Sequence, residues 1–293
     1  MYREILHHMC CPICRKGFIL RSGTEIDGDV LEGLLTCEGG HSYRIHQGVA
    51  DFNSLEQAIA NQWEDLSDGQ SFEEFDSHVD ASNPAEVLER REMVLDAITG
   101  AVSVHKPKVV LDIASGRGLL LTELAKILEE DVHIISIDLS AFVLRYDHQK
   151  FKRLCPNARI SYLACDTTNL PLKDNVVDAA TTYCGFSNMV GCAGEALQEA
   201  HRVLKSAGIL VDSYVVIEKE SRGYELLHQV CTQQQLSGAE AFFLHEGVMK
   251  HHEALFSDVD CKTLFEGLGV GNDMDLLPYD GEWYAEEVLI STK

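Results

Sequence analysis

Two pairs of metal-ligand residue types stand in the first fifty positions: Cys11-x2-Cys14 and, 22 residues later, Cys37-x3-His41. Thiolate sulfur and imidazole nitrogen at four tetrahedral positions suit zinc. Each short pair fits one tight turn, with Pro12 and Gly17 shaping the first and Gly39–Gly40 the second. Four protein ligands leave no open position, so the metal is expected to be structural, holding together a piece too small to fold on its own core. Cys10 and His46 are possible substitutes for Cys11 and His41.

A second constellation consists of acids at the ends of apolar runs. "KVVLDIA" carries Asp112 and leads into Ala114, Ser115, Gly116, Arg117 and Gly118. "VHIISIDLS" carries Asp138, and "ARISYLACD" ends in Asp166 followed by Thr167. Small residues let a ligand approach the backbone, and glycine tolerates turn dihedrals. Asp138 is suited to accept hydrogen bonds from two ribose hydroxyls, and Asp166 with Thr167 is placed to meet an adenine edge. One acid at a strand end is more often a helix cap or turn residue. Three of them in order, at successive strand ends, are much more specific.

The elements that must position these acids alternate. From residue 107 the chain reads strand, helix ("GLLLTELAKILEE"), strand, helix ("AFVLRYDHQKFKRL"), strand, strand ("NVVDAATTYCG"), helix ("GEALQEAHRVLKSAG", with Gly208 as stop) and strand ("GILVDSYVVI"). Apolar strands alternating with amphipathic helices imply a parallel sheet covered on both faces, with ligands beyond the carboxyl ends of its strands. Before it, residues 1–52 read as a zinc ribbon with strands in "GFILRSG" and "VLEGLLTC". Residues 53–106 read as a helical linker and cap. There, "LEQAIANQWEDL" and "NPAEVLERREMVLDAITGAV" are helices, the latter starting at Asn83 and Pro84 and stopping at Gly100. The acidic "SDGQSFEEFDSHVDAS" between them connects, and its aromatics, with Trp63, could fold over a ligand. After residue 217 a helical insert, about 218–252, carries Tyr224, His228, Phe242, Phe243, His245, His251 and His252, from which a general base could come. A second metal at His245-x5-His251-His252 lacks a carboxylate or cysteine in register. "ALFSDVDCKTLFEGLG" reads as a helix, and "DMDLLPYDGEW" and "AEEVLISTK" as two strands turning at Asp280–Gly281.

The stretches "VVLDIASGRG", "ISIDLS", "ACDTTNLPLKDNVVDAATTYCGFSNM" and "ALQEAHRVLKSAGIL" resemble the class I S-adenosylmethionine (SAM) methyltransferases. Within them the likeness is to the type-11 group that includes the ubiquinone/menaquinone-biosynthesis methyltransferases. It covers about residues 85–217 and extends toward Lys293. The resemblance implies an α/β, Rossmann-like doubly wound sheet of seven strands with a C-terminal antiparallel hairpin. It implies that Asp112, Ala114, Ser115, Gly116 and Gly118 hold the methionine part of SAM, that Asp138 and Leu139 meet the ribose, and that Asp166 and Thr167 meet the adenine. Tyr183, with Cys184, Phe186, Ser187 and Asn188 after it, would face the reacting methyl. Ala114 replaces the family's usual first glycine. The dinucleotide fingerprint G-x-G-x-x-G is absent, because Ala114, Gly116 and Leu119 stand at its glycine positions. The resemblance names no catalytic residue.

The chain has 293 residues, ten cysteines and a net charge of −23, with thirteen Asp or Glu against two Arg in residues 51–100. Such a surface repels phosphate backbones. No apolar run reaches membrane-spanning length and no secretory leader is apparent, so a cytoplasmic chain with reduced thiols is expected. The leading expectation is methylation of a small molecule or natural-product intermediate. An rRNA base methyltransferase reading RNA through its ribbon and a non-catalytic SAM-binding adaptor are the alternatives. The near-neutral ribbon, with five Lys or Arg against six Asp or Glu in residues 1–50, weighs against the former. The intact acids and glycines weigh against the latter.

Overall fold

The computed structural model describes residues 1–53, 72–236, 238–271 and 276–293. Four N-terminal strands, β1 (Phe18–Ile26), β2 (Asp29–Cys37), β3 (Ser42–His46) and β4 (Val49–Asp51), pair successively and antiparallel. Helices α1 (Phe72–Ser82) and α2 (Ala85–His105) follow. The alternating core then runs β5 (Val109–Ile113), α3 (Leu119–Ile127), β6 (His133–Asp138), α4 (Ala141–Leu154), β7 (Arg159–Ala164) and β8 (Val177–Thr182). It continues through the short α5 (Gly185–Asn188), α6 (Ala193–Val203) and β9 (Leu204–Ile217). The insert supplies α7 (Arg222–Gln233) and α8 (His245–Glu253), and β10 (Asp258–Leu268) and β11 (Trp283–Thr292) close the chain.

All eleven strands form one sheet, in the order β1-β2-β3-β4-β7-β6-β5-β8-β9-β11-β10. From β7 to β10 this is the expected seven-stranded class I arrangement: β5 to β9 are parallel, and β11 inserts antiparallel between β9 and β10. Strands β5 and β6 are buried along their whole length, which is why they read as continuous apolar runs rather than alternating ones. The strand order reverses at β5, placing the crevice between the carboxyl ends of β5 and β8.

The N-terminal strands extend the sheet. Val49–Asp51 pair parallel with Tyr162–Ala164, so β4 covers what would be an open edge of β7. Asp29, buried at the start of β2, receives His148 Nε2 of α4 at 2.8 Å and Lys152 Nζ at 2.9 Å. Burial alone would raise this carboxyl. The His148 hydrogen bond, the N-terminal ammonium and Lys152 outweigh it and hold Asp29 well below the usual carboxylate range.

Several expected elements differ. Gly100 does not stop α2, which runs to His105 and ends at Lys106 in the left-handed conformation. Gly100 lies on the exposed face and Val102 is fully buried beyond it, so packing outweighs glycine's low propensity. Part of the acidic connector is helical as α1, whereas "LEQAIANQWEDL" and Trp63 lie outside the described residues. Helix α6 ends at Val203, so "LKSAG" already belongs to β9. "DVDCKTLFEGL", read as helical, is strand β10, and β10 rather than "DMDLLPYDGEW" pairs with β11. The register shifts between Thr263 and Phe265, and Val259 and Cys261 pack on one apolar cluster while Leu264 packs on the other. That bulge breaks the two-residue period and imitates helical spacing. In the first knuckle Arg15, not Gly17, takes positive φ.

Candidate functional site

The loop after β5 turns sharply: Ala114, Gly116 and Gly118 all have positive φ, at 53°, 53° and 69°. Its amides are tied to the next strand end. Ser115 N–H donates to the Ile137 carbonyl at 3.0 Å and Gly116 N–H to Asp138 Oδ2 at 2.9 Å. The other Asp138 oxygen accepts from Ser140 N–H at 2.9 Å. Asp138 is buried, so these charge-assisted bonds fix the loop and the start of α4 relative to one another. Ala114 accepts the left-handed conformation at a cost of about 1–2 kcal/mol, and its methyl faces Gly185. A Cβ on Gly185 would lie 3.1 Å from the Ala114 Cβ and 2.0 Å from Thr182 Oγ1, so that crossing tolerates no side chain.

Asp112 is fully buried on β5, and its Oδ2 has no hydrogen-bond partner among the described residues. Burial, reinforced by the Asp138 charge, pushes its carboxyl up to about 7. Ser115 Oγ beside it is likewise buried and unmatched. Unmatched buried polar atoms are costly and call for a ligand or water. Together with the glycine turn they fit the methionine part of SAM, the group that the resemblance assigns here.

The remaining predicted residues line the same edge. Asp166 is exposed beyond β7, accepting the Thr168 N–H at 2.8 Å, and Thr167 beside it is buried. Leu139 is half-buried, its carbonyl accepting from Asn53 Nδ2 at 2.8 Å. Tyr183 and Cys184 follow β8, with Cys184 at φ 54° and its N–H on Ser213 Oγ at 3.0 Å. Phe186 and Ser187 are buried behind them, and Asn188 is exposed.

Sequence reasoning missed Arg117 as more than a loop residue. Its guanidinium is almost wholly buried and pairs with Asp76 and, at 3.1 Å, with Asp80, both on α1. Lys150 Nζ bridges the Asp76 carboxylate at 3.4 Å and the Arg117 carbonyl at 3.1 Å. Helix α1 is therefore clamped onto the loop after β5. The signal was an arginine inside a glycine turn following an acidic segment. Asp147 was missed as well. It is fully buried against Gly118, both oxygens lack partners among the described residues, and burial raises it well above the usual carboxylate range.

At the other end, Cys11, Cys14, Cys37 and His41 converge with their donor atoms within 4.8 Å of one another. Cys14 Sγ lies 3.5 Å from Cys37 Sγ, and His41 Nδ1 lies 3.5 and 3.4 Å from the sulfurs of Cys11 and Cys37. Ligands bonded at about 2.0–2.3 Å around a tetrahedral zinc are about 3.5–3.8 Å apart, so the four fit that ion. Tyr43 Oη stands 3.4 Å from Cys11 Sγ, an outer partner of the kind metal-ligating sulfurs keep. A Cβ on Gly39 would lie 2.8 Å from Cys14 Sγ, so the second knuckle requires glycine there. His46 pairs with Glu32 at 2.8 Å instead, and Cys10 is a buried thiol outside the cluster.

The insert's histidines are dispersed. His252 is fully buried, between Tyr214 Oη at 2.9 Å and Ser291 Oγ at 2.8 Å, with Tyr214 donating to Asp212 at 2.8 Å. His228 is exposed and paired with Glu240 at 2.7 Å. His245 meets Glu287, and His251 Nδ1 meets the Gly247 carbonyl at 2.7 Å. Tyr224 stacks on His228, Phe242 is buried and Phe243 half-buried. A cleft of ≈ 800 Å³ opens between α6 and the insert, lined by Leu197, Ile217, Lys219, Leu244, His245 and Lys250 among others. It shares no lining residue with the three acid-bearing strand ends. No described helix is long and apolar enough to cross a membrane.

Residues 104–271 match the family model described as a methyltransferase domain. The ubiquinone/menaquinone biosynthesis C-methyltransferase UbiE of Escherichia coli O1:K1 is 27% identical over 125 residues, 42% of this chain and 49% of that protein. That of Citrobacter koseri is 28% identical over the same extent. The chain thus spans about half the length of these curated relatives. The crystal structure of the MccD protein superposes with a TM-score of 0.53 at 17% identity, covering 68% of this chain and 96% of that one, which speaks to the fold. With more than half its length matched and the β7-β6-β5-β8-β9-β11-β10 order in place, the chain belongs to the methyltransferase-domain family and has the class I SAM-dependent fold.

Proposed function

We propose that this chain transfers the methyl group of SAM to a small-molecule acceptor, and that its N-terminal Cys₃His cluster holds a structural zinc. One observation carries the first part. Three successive strand ends each present an acid, and the first two are locked together through the Gly116 amide and Asp138. In this reading residues 112–118 hold the methionine part, Asp138 and Leu139 the ribose, and Asp166 with Thr167 the adenine. Asp138 Oδ2 accepts the Gly116 amide and Oδ1 the Ser140 amide, which fixes its carboxylate at the end of β6 in the orientation this reading needs.

SAM, when bound, supplies a methyl group already activated on a sulfonium. The chain's own task is then to position the acceptor about 3–3.5 Å away and to exclude water. Tyr183 and the Cys184–Ser187 turn form the wall on the β8 side. Helix α1, clamped by Arg117, covers the loop from above and limits solvent. An acceptor whose nucleophilic atom carries no proton needs no base. The dispersal of the insert's histidines agrees with such an acceptor.

The Cys₃His cluster supports the zinc reading through its closed set of four soft donors and its outer Tyr43 contact. An acceptor of small-molecule class is favoured by the charge of −23, which opposes a polyanionic substrate. The test is calorimetric titration with S-adenosylhomocysteine, followed by labelled-methyl transfer from SAM to fractionated small-molecule and RNA pools. Micromolar or tighter binding with label in the small-molecule fraction supports the proposal. Label confined to RNA, or no cofactor binding, refutes it.

A further inference from the structure

We propose that His245, Cys261 and Glu287 form a second metal site, suited to a zinc-like dication, on the wall of the cleft beneath the insert. The three come from separate elements: His245 opens α8, Cys261 lies on β10 and Glu287 on β11. Folding brings one ligand atom of each within 4.8 Å of the others. His245 Nδ1 stands 2.9 Å from both Glu287 oxygens, and Cys261 Sγ stands 3.6 Å from Glu287 Oε2. Sequence spacing hid this set, because the cysteine and carboxylate missing near His245 along the chain arrive from the antiparallel hairpin.

The donors choose the ion. One nitrogen, one sulfur and one carboxylate suit zinc and its neighbours, whereas calcium and magnesium take oxygen ligands. Ligand edges around such an ion are about 3.3–3.8 Å, so the two edges to Glu287 lie within a few tenths of an ångström of that range, and the His245–Cys261 edge is within 4.8 Å. His245 and the Cys261 thiol are both turned onto the one Glu287 carboxylate, so three different ligand types share a single point. Glu287 is 4% exposed, so its carboxylate needs partners, and His245 and Cys261 are the ones it meets. Three protein ligands leave a fourth position open. His245 lines the ≈ 800 Å³ cleft together with Lys219, Lys250 and His251, so the fourth ligand would be water or an anionic group entering there. This site does not depend on the methyl-transfer reading.

The experiment is zinc content per chain of the full-length protein after equilibration in a zinc-buffered solution, for the native chain, His245→Ala and Cys261→Ser. The native chain should hold one zinc more than either variant, and Cys14→Ser should lose a different equivalent. Cobalt substitution should give a thiolate charge-transfer band that Cys261→Ser reduces and Cys14→Ser reduces independently. His245 is more than half exposed, so its variant should fold even if Cys261→Ser does not, as circular dichroism can verify. Equal zinc content in the native chain and His245→Ala would overturn the site, whatever the ribbon holds.

Discussion

The backbone amide of Gly116 and the carboxylate of Asp138 meet at 2.9 Å, joining the loop after β5 to the end of β6. The same carboxylate caps the start of α4 through Ser140 N–H. Asp138→Ala therefore removes both a proposed ribose contact and the acceptor of two buried amides. Each buried unmatched amide costs about 1–3 kcal/mol. The variant should lose stability on that scale and bind S-adenosylhomocysteine at least about tenfold more weakly. Calorimetry checks both; unchanged affinity would place the ribose elsewhere.

Asp112 gives the fold a pH dependence of defined sign. Its carboxyl sits near 7 in the folded chain against an ordinary 3.8. Between those values the native state holds a proton that the unfolded state has released. Stability contributed by this group is thus intact below about pH 4, falls as pH rises toward 7, and stays low above. Asp112→Asn should flatten that slope and gain on the order of 1–4 kcal/mol relative to the native chain at about pH 8 rather than at about pH 4. Urea unfolding at the two pH values measures it; equal slopes in both proteins would contradict the assignment.

Gly185 and Gly100 form a contrasting pair. A methyl on Gly185 would lie 2.0 Å from Thr182 Oγ1, which donates to the Ile113 carbonyl at 2.7 Å. Gly185→Ala should cost about 1–3 kcal/mol through overpacking and weaken cofactor binding by displacing Ala114. A methyl on Gly100 meets nothing within 4 Å and lies inside α2, so Gly100→Ala should gain about 0.5–1 kcal/mol. Thermal melts of the two variants should move in opposite directions.

Zinc removal should act locally. Among the described residues Val49–Asp51 alone of the N-terminal strands pair with the parallel core, although Asp29 contacts α4, Arg15 donates to the Leu170 and Leu172 carbonyls, and Leu35 and Ile45 share the core's apolar cluster. Chelation, or Cys14→Ser, should release the ribbon zinc and abolish amide protection across residues 18–46 while β5 to β8 keep theirs. Retained protection in the metal-free ribbon would refute the structural role.

The central fold was legible because its strands are buried on both faces and its helices are amphipathic, so the period of each segment reports its state directly. The acids at the strand ends and the Cys₃His spacing were legible for the same reason: they sit at fixed offsets from strong elements. Contacts between remote segments were not. The pairing of β4 with β7, the Arg117 clamp on Asp76 and Asp80, and the convergence of His245, Cys261 and Glu287 depend on packing that no local pattern encodes. The bulge between Thr263 and Phe265 misled more actively, because one phase shift in a strand imitates helical spacing. Gly100 shows propensity yielding to the burial of Val102.

A crystal structure with S-adenosylhomocysteine tests the cofactor assignment most directly. The ribose hydroxyls should fall within hydrogen-bond distance of Asp138, the adenine should lie at Asp166 and Thr167, and the amino-acid tail should rest on residues 112–118. A nucleoside bound in the cleft between α6 and the insert, with those three strand ends bare, would contradict the account.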